Sequence, residues 1–203
     1  MPETPSQTAG PFLHIGLLPG QVGLSAVAPI ASNVLVTPET QGERIAIEGR
    51  VLDGTGSPCR DVLVELWQAD ARGRYAHPAD TRGGPAPDPA FSGFGRTGTD
   101  FATGLYRFET VKPGRVAGRH GHKPMAPHVN LWLAARGINI GLATRMYFSD
   151  EGEANAADPV LNIIEQPSRR LTLIGNREER ADGVTYVFDI HLQGERETVF
   201  FDV

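Results

Sequence analysis

Residues 45–52, Ile45-Ala46-Ile47-Glu48-Gly49-Arg50-Val51-Leu52, alternate apolar with polar or small side chains and stop at the turn sequence Asp53-Gly54-Thr55-Gly56. A period of two places one set of side chains on each face of an extended chain, the signature of a half-buried β-strand. Beyond the turn, Asp61-Val62-Leu63-Val64-Glu65-Leu66-Trp67-Gln68 alternates again, with Val62, Val64 and Leu66 on one face and Leu63, Glu65 and Trp67 on the other. The two runs are expected to be neighbours that anchor a sheet. Working outward, strands are expected at residues 105–108, 128–135, 143–148 and 184–192, and a last one at 197–201 closes the chain. The 24 glycines and 16 prolines fall between these runs as punctuation, the pattern of an all-β protein. The expected fold is therefore all-β, a two-sheet β-sandwich with an extended N-terminal arm, long loops and a few short helices. Helices are expected at residues 154–165, where Val160, Ile163 and Ile164 share a helical face, and at 169–174.

Two stretches do not read as strands, residues 1–40 and the Gly-, Pro- and Asp-rich loop 72–98. Connections of that length in a compact domain are usually functional or covered by a partner. The arm mixes breakers with Phe12, Leu13, Ile15 and Leu17, more apolar surface than a free tail needs. It either lies on its own core or inserts into another subunit.

At 203 residues and 40% hydrophobic content the chain can bury one domain core. Its 24 acidic and 19 basic residues give a net charge of -5 without a basic cluster, which argues against nucleic acid as a partner. No apolar run approaches the roughly 20 residues that cross a bilayer, so no membrane role is expected. Cys59 has no second cysteine to pair with, and Met1-Pro2-Glu3-Thr4-Pro5 lacks a signal pattern, which together suggest a reducing cytoplasm.

Candidate chemistry rests on the six histidines, because imidazole is a common transition-metal ligand. His120-Gly121-His122 sits in a Gly- and Arg-rich loop, His128 opens a strand, and Tyr75 lies in the long loop. No acidic third ligand accompanies the His120 and His122 pair, which reads as two exposed loop histidines rather than as metal ligands. His191 reads as a packed or surface strand residue, and His14 and His77 have no obvious company. There is no Gly-x-Ser-x-Gly elbow and no phosphate-cradling glycine loop. The residues alone leave open a binding or assembly module and a subunit of a metalloenzyme whose site is completed elsewhere.

Many ordered segments resemble the intradiol ring-cleavage dioxygenases. They include residues 4–11 (Thr4-Pro5-Ser6-Gln7-Thr8-Ala9-Gly10-Pro11), 64–71, 93–97, 110–114, Pro124-Met125-Ala126-Pro127-His128-Val129-Asn130, 135–140, 159–162 and 188–190. The resemblance implies cleavage of protocatechuate by O2 to a carboxy-cis,cis-muconate at a ferric ion held by two tyrosines and two histidines. Phenolates suit a hard, oxidised cation, and imidazoles complete its shell. Tyr75 matches the first tyrosine and His128 the first histidine, whereas Val116 and Asn130 stand at the other two positions and Met125 replaces an arginine. The resemblance therefore implies no metal on this chain and Fe(III) on a homologous beta chain in a larger alpha-beta oligomer. It further implies that residues 1–40 are an arm packing on the partner and residues 41–203 a dioxygenase-like β-sandwich domain. Thr8, Gly10, Pro11 and Arg136 would then line the partner's pocket, Arg136 attracting a benzoate carboxylate. Two alternatives remain: a self-sufficient dioxygenase that binds iron through the His120 and His122 loop, and a structural or carrier-like β-sandwich.

Overall fold

A computed structural model describes residues 8–10, 12–24, 31–118 and 123–202. Strands dominate: β1 Arg44–Leu52, β2 Leu63–Gln68, β3 Phe94–Gly98, β4 Leu105–Val111, β5 His128–Ala134, β6 Leu142–Phe148, β7 Ile174–Arg180, β8 Gly183–Val187 and β9 Ile190–His191. Among the described residues three short α-helices accompany them, α1 Phe12–Leu17, α2 Gly152–Ala157 and α3 Pro167–Arg170. Among the described residues no helix is long and apolar enough to cross a membrane. The strands join in one hydrogen-bonded path, β3-β2-β5-β6-β7-β8-β1-β4, with β9 added to β1. The path is thinnest at β6 and β7, which share only the parallel pairs Tyr147 with Ile174 and Phe148 with Gly175.

β1 and β2 form where expected but do not pair with each other. β1 lies between antiparallel β4 and parallel β8, and β2 between β3 and β5. The connection is stapled to β1 instead: Leu52 bridges Pro58, and the Asp53 carboxylate accepts the amides of Thr55 and Ser57. Pro58 has no N–H with which to extend a ladder. Leu63, Val64 and Leu66 are all fully buried, so β2 belongs inside the sheet with both edges paired.

One main core collects Ile45, Ile47, Tyr106, Phe108 and Tyr186 from one half of the path, and Val64, Leu66, Leu131, Leu133 and Met146 from the other. The close approach of β1 to the β8–β9 junction depends on Gly49, where a Cβ would stand 1.9 Å from the Phe188 carbonyl oxygen. That carbonyl also accepts the Tyr106 hydroxyl, and the Asp189 carboxylate takes the Arg50 amide in place of a backbone carbonyl. This substitution interrupts the ladder, which splits the single strand expected at 184–192 into β8 and β9.

Other departures have local causes. The helix expected at 154–165 breaks at Asp158, extended with ψ of 125° because Pro159 follows it, leaving α2 and a 3-10 turn Leu161–Ile163. Leu161 is buried and Ile164 packs against the same small cluster, whereas Ile163 is 76% exposed, so Val160, Ile163 and Ile164 do not form one packed helical face. At 169–174, α3 and the 3-10 turn Leu171–Leu173 give way to β7 at Ile174. β7 carries little apolar signal and holds its shape with ion pairs, Arg180 to both Glu178 and Glu48. Residues 197–201 make a single bridge, Phe201 to Ala143, rather than a strand.

β3 lies inside what read as loop 72–98. Its two glycines weaken the strand signal, but Gly95 lets residues 32–35 cover this edge: a Cβ there would meet the Leu35 side chain at 2.6 Å. The Ser32 carbonyl accepts the Arg96 amide and Leu35 enters the main core. Gly49→Ala is expected to destabilise the protein by about 3 kcal/mol or more, because backbone rather than a mobile side chain blocks the new methyl group. Urea unfolding would show this, and a stability equal to wild type would mean that β1 and the Phe188 carbonyl are not in close contact.

Candidate functional site

β5 is paired on both edges, so its side chains have fixed faces. Val129, Leu131 and Leu133 enter the main core, leaving His128 and Asn130 on the opposite face. Cross-strand neighbours on that face are Trp67 on β2, opposite Asn130, and Arg145 and Tyr147 on β6, opposite Asn130 and His128. The remaining wall comes from two loops. Met125 bridges Val116, its amide donating to the Val116 carbonyl at 2.8 Å. Tyr75 is set by Asp80, whose carboxylate accepts the Tyr75 amide at 2.9 Å while pairing with Arg82. The Tyr75 ring stacks on Trp67, centroids 5.7 Å apart and 15° from parallel.

These side chains surround a cavity of about 830 Å³ lined by Trp67, Tyr75, Val116, Met125, Asn130 and Arg145, among others. Of the four positions matched from the sequence to a metal frame, Tyr75, Val116 and Asn130 line this cavity, and His128 lies buried beside Tyr75. The Tyr75 hydroxyl lies 3.5 Å from His128 Nε2, and Asn130 Nδ2 lies 3.5 Å from the same hydroxyl and 3.1 Å from the Trp67 carbonyl. His128 is fully buried with Nδ1 2.8 Å from the Ala126 carbonyl. That contact places the proton on Nδ1 and leaves Nε2 as an acceptor toward Tyr75. Below the cavity, buried Asp158 accepts the amides of Ala126, Val160 and Leu161 and the Tyr147 hydroxyl, fixing the approach to β5.

Electrostatics follow from this enclosure. Burial, then the positive charge of Arg145, lowers His128 from its ordinary 6.5 to about 4, so the imidazole is neutral at pH 7. Burial raises Tyr75 above the usual phenol range, keeping it protonated. Hydrogen bonds from Arg82 hold Asp80 well below the usual carboxylate range.

Two of the four matched positions offer nothing suited to a ferric ion: Val116 brings no donor atom, and Asn130 presents its amide nitrogen to Tyr75. Arg145 adds a fixed positive charge, its Nη1 3.5 Å from Met125 Sδ at the cavity wall. Among the described residues no group of three or more His, Cys, Asp or Glu could hold a metal. His120, His122 and Pro11 lie outside the described residues.

The remaining sequence candidates gather at the other end of β5. Arg136 follows the strand by two residues, roughly 26 Å from His128 at about 3.3 Å per residue. Its Nε pairs with Asp61 while its side chain stays 69% exposed. The Thr8 hydroxyl accepts the Gly137 amide at 2.8 Å, and Gly10, His14, Asp61 and Arg136 line a second cavity of about 730 Å³. His14 has company after all: it is buried against Phe101, ring centroids 5.7 Å apart. His77 packs edge-on to Trp67. Sequence reasoning missed Trp67, Arg145 and Asp158 as site-forming. Arg145, charged within the otherwise uncharged run Leu142–Phe148, was the one with a readable signal.

The dioxygenase family model matches residues 25–194, and the chain belongs to the intradiol ring-cleaving dioxygenases, a family of oxidoreductases that use Fe(III). Within it, the chain is 51% identical to the protocatechuate 3,4-dioxygenase alpha chain of Pseudomonas putida, covering 100% of this chain and 97% of that one. It is 41% identical to the Burkholderia cepacia alpha chain, covering 99% and 98%, and 39% identical to the beta chain from that organism, covering 83% and 72%. The solved 3-chlorocatechol 1,2-dioxygenase of Rhodococcus opacus 1CP shares the fold, with a TM-score of 0.59 at 22% identity over 78% of this chain and 63% of that one.

Because His128 titrates near 4 when folded and near 6.5 in its ordinary state, the unfolded chain takes up this proton first as pH falls. Its contribution is complete above pH 6.5 and is lost between 6.5 and 4, amounting to about 3 kcal/mol. His128→Gln should lack that portion of the acid destabilisation, as read by urea unfolding across the window. Parallel pH profiles for wild type and variant would contradict the burial of a neutral imidazole.

Proposed function

We propose that this chain is the alpha-type subunit of a cytoplasmic protocatechuate-cleaving dioxygenase, completing a pocket whose Fe(III) is held by a homologous beta chain. The observation that carries this reading is the frame in which Tyr75, Val116 and Asn130 line one cavity with His128 buried against Tyr75, while Val116 brings no donor and Asn130 only an amide. The similarity to two alpha chains and a beta chain supports the pairing. In the assembly, O2 opens the ring of protocatechuate between its two oxygenated carbons to 3-carboxy-cis,cis-muconate.

This chain's contribution is binding. Residues 1–40 form the arm that packs on the partner and residues 41–203 the domain that carries it. Thr8, Gly10 and Pro11 are the arm residues we assign to the partner's pocket, where small side chains would let backbone approach a flat ring. Arg136 attracts and orients the substrate carboxylate: Asp61 engages its Nε, leaving the two Nη groups as a fork for the incoming acid. We also read the sheet path as two facing layers, β3-β2-β5-β6 and β7-β8-β1-β4, folded at the thin β6–β7 joint. The single core drawn from both halves supports that arrangement.

The chain produced alone should contain no stoichiometric iron and no visible tyrosinate-to-iron absorption, and co-production with the beta partner should give both. Stoichiometric iron on the chain alone would overturn the reading. Arg136→Ala in the assembled enzyme should raise KM for protocatechuate by about tenfold or more with a smaller change in kcat. An unchanged KM would favour a structural or carrier-like module.

A further inference from the structure

The Arg136 side chain is 69% exposed. An exposed arginine samples many rotamers, and fixing it only when a ligand arrives costs affinity. Here the ordering is done in advance. The Asp61 carboxylate takes the guanidinium at Nε, and Asp61 stands on a rigid base. Its neighbour Val62 is fully buried, the Val62 amide donating to the Thr99 hydroxyl at 3.0 Å and the Val62 carbonyl accepting the Thr99 amide at 2.9 Å. The turn that carries Arg136 is held from the arm, where the Thr8 hydroxyl accepts the Gly137 amide at 2.8 Å. His14 lines the same cavity, buried against Phe101. Burial lowers it from its ordinary 6.5, so at pH 7 it is neutral and does not compete with Arg136 for the carboxylate.

We propose that Asp61 is a positioning residue for the substrate, acting through Arg136: it holds the guanidinium at Nε so that both Nη groups meet the substrate carboxylate together. This rests on the reading of Arg136 given above. A carboxylate beside an arginine can also act in the opposite sense, by occupying its charge and repelling a second anion. The side of engagement decides between the two. Contact at Nε is lateral, leaving the terminal edge of the planar fork free for a bidentate acid, and a bidentate pair gains more from correct orientation than a point charge does.

Steady-state kinetics of the assembled enzyme test this. Asp61→Asn should raise KM for protocatechuate about three- to tenfold with little change in kcat. Inhibition by catechol, which has the same ring without the acid, should be unaltered, and Asp61→Glu should recover part of the lost affinity. In an Arg136→Ala background, Asp61→Asn should add nothing further, because its effect passes through the arginine. An unchanged or lowered KM for Asp61→Asn would overturn the proposal. So would an equal weakening of catechol, no recovery with Asp61→Glu, or a further rise on top of Arg136→Ala. If Arg136→Ala raises KM and Asp61→Asn does not, the positioning role alone fails. If Arg136→Ala leaves KM unchanged, the carboxylate role of Arg136 fails and this proposal falls with it.

Discussion

Everything distinctive about this molecule hangs on the register of β5. The strand is hydrogen-bonded to β2 on one side and β6 on the other, and a slip of one residue would send Val129, Leu131 and Leu133 out of the core and His128 and Asn130 into it. Register therefore determines at once which side chains form the core and which face the cavity. The buried Asp158 carboxylate reinforces it by gripping Ala126, two residues before the strand, together with the chain beyond its own Pro159. Because β5 is rigid, its two ends can hold different chemistry in fixed relation: a neutral imidazole among aromatic rings at one end, and an exposed arginine at the other.

Legibility from sequence tracked the strength of alternation. β1, β2, β4, β5 and β6 could be read because one face of each is committed to the core. β7 could not, since Glu178, Glu179 and Arg180 are exposed and the strand is held by pairing with β8 and β6 and by the ion pairs of Arg180. β3 was hidden by its glycines, which are needed for the arm to close over that edge. Pairing partners were the least legible feature. Alternation says which residues share a face but not which strand lies alongside, and the β1–β2 neighbourhood failed for that reason. The site was legible through resemblance rather than through spacing. His128, Asn130, Val116 and Tyr75 are scattered over more than fifty positions, and only the known frame brought them together before the fold was described. Arg145 escaped because a lone charge in a strand ordinarily points to solvent.

The cavity wall joins neutral polar groups to one guanidinium, that of Arg145, which acts on its neighbours by lowering His128 together with burial. Trp67 holds the aromatic side together, stacking on Tyr75 and meeting His77 edge-on.

The Tyr75–His128 contact also constrains which substitutions the fold tolerates. Val116 needs no polar partner, Asn130 finds the Trp67 carbonyl, and Tyr75 and His128 find each other. Changing either member of that couple leaves the other without it, at about 1 to 3 kcal/mol, so folding stability alone favours keeping both, whatever the cavity binds.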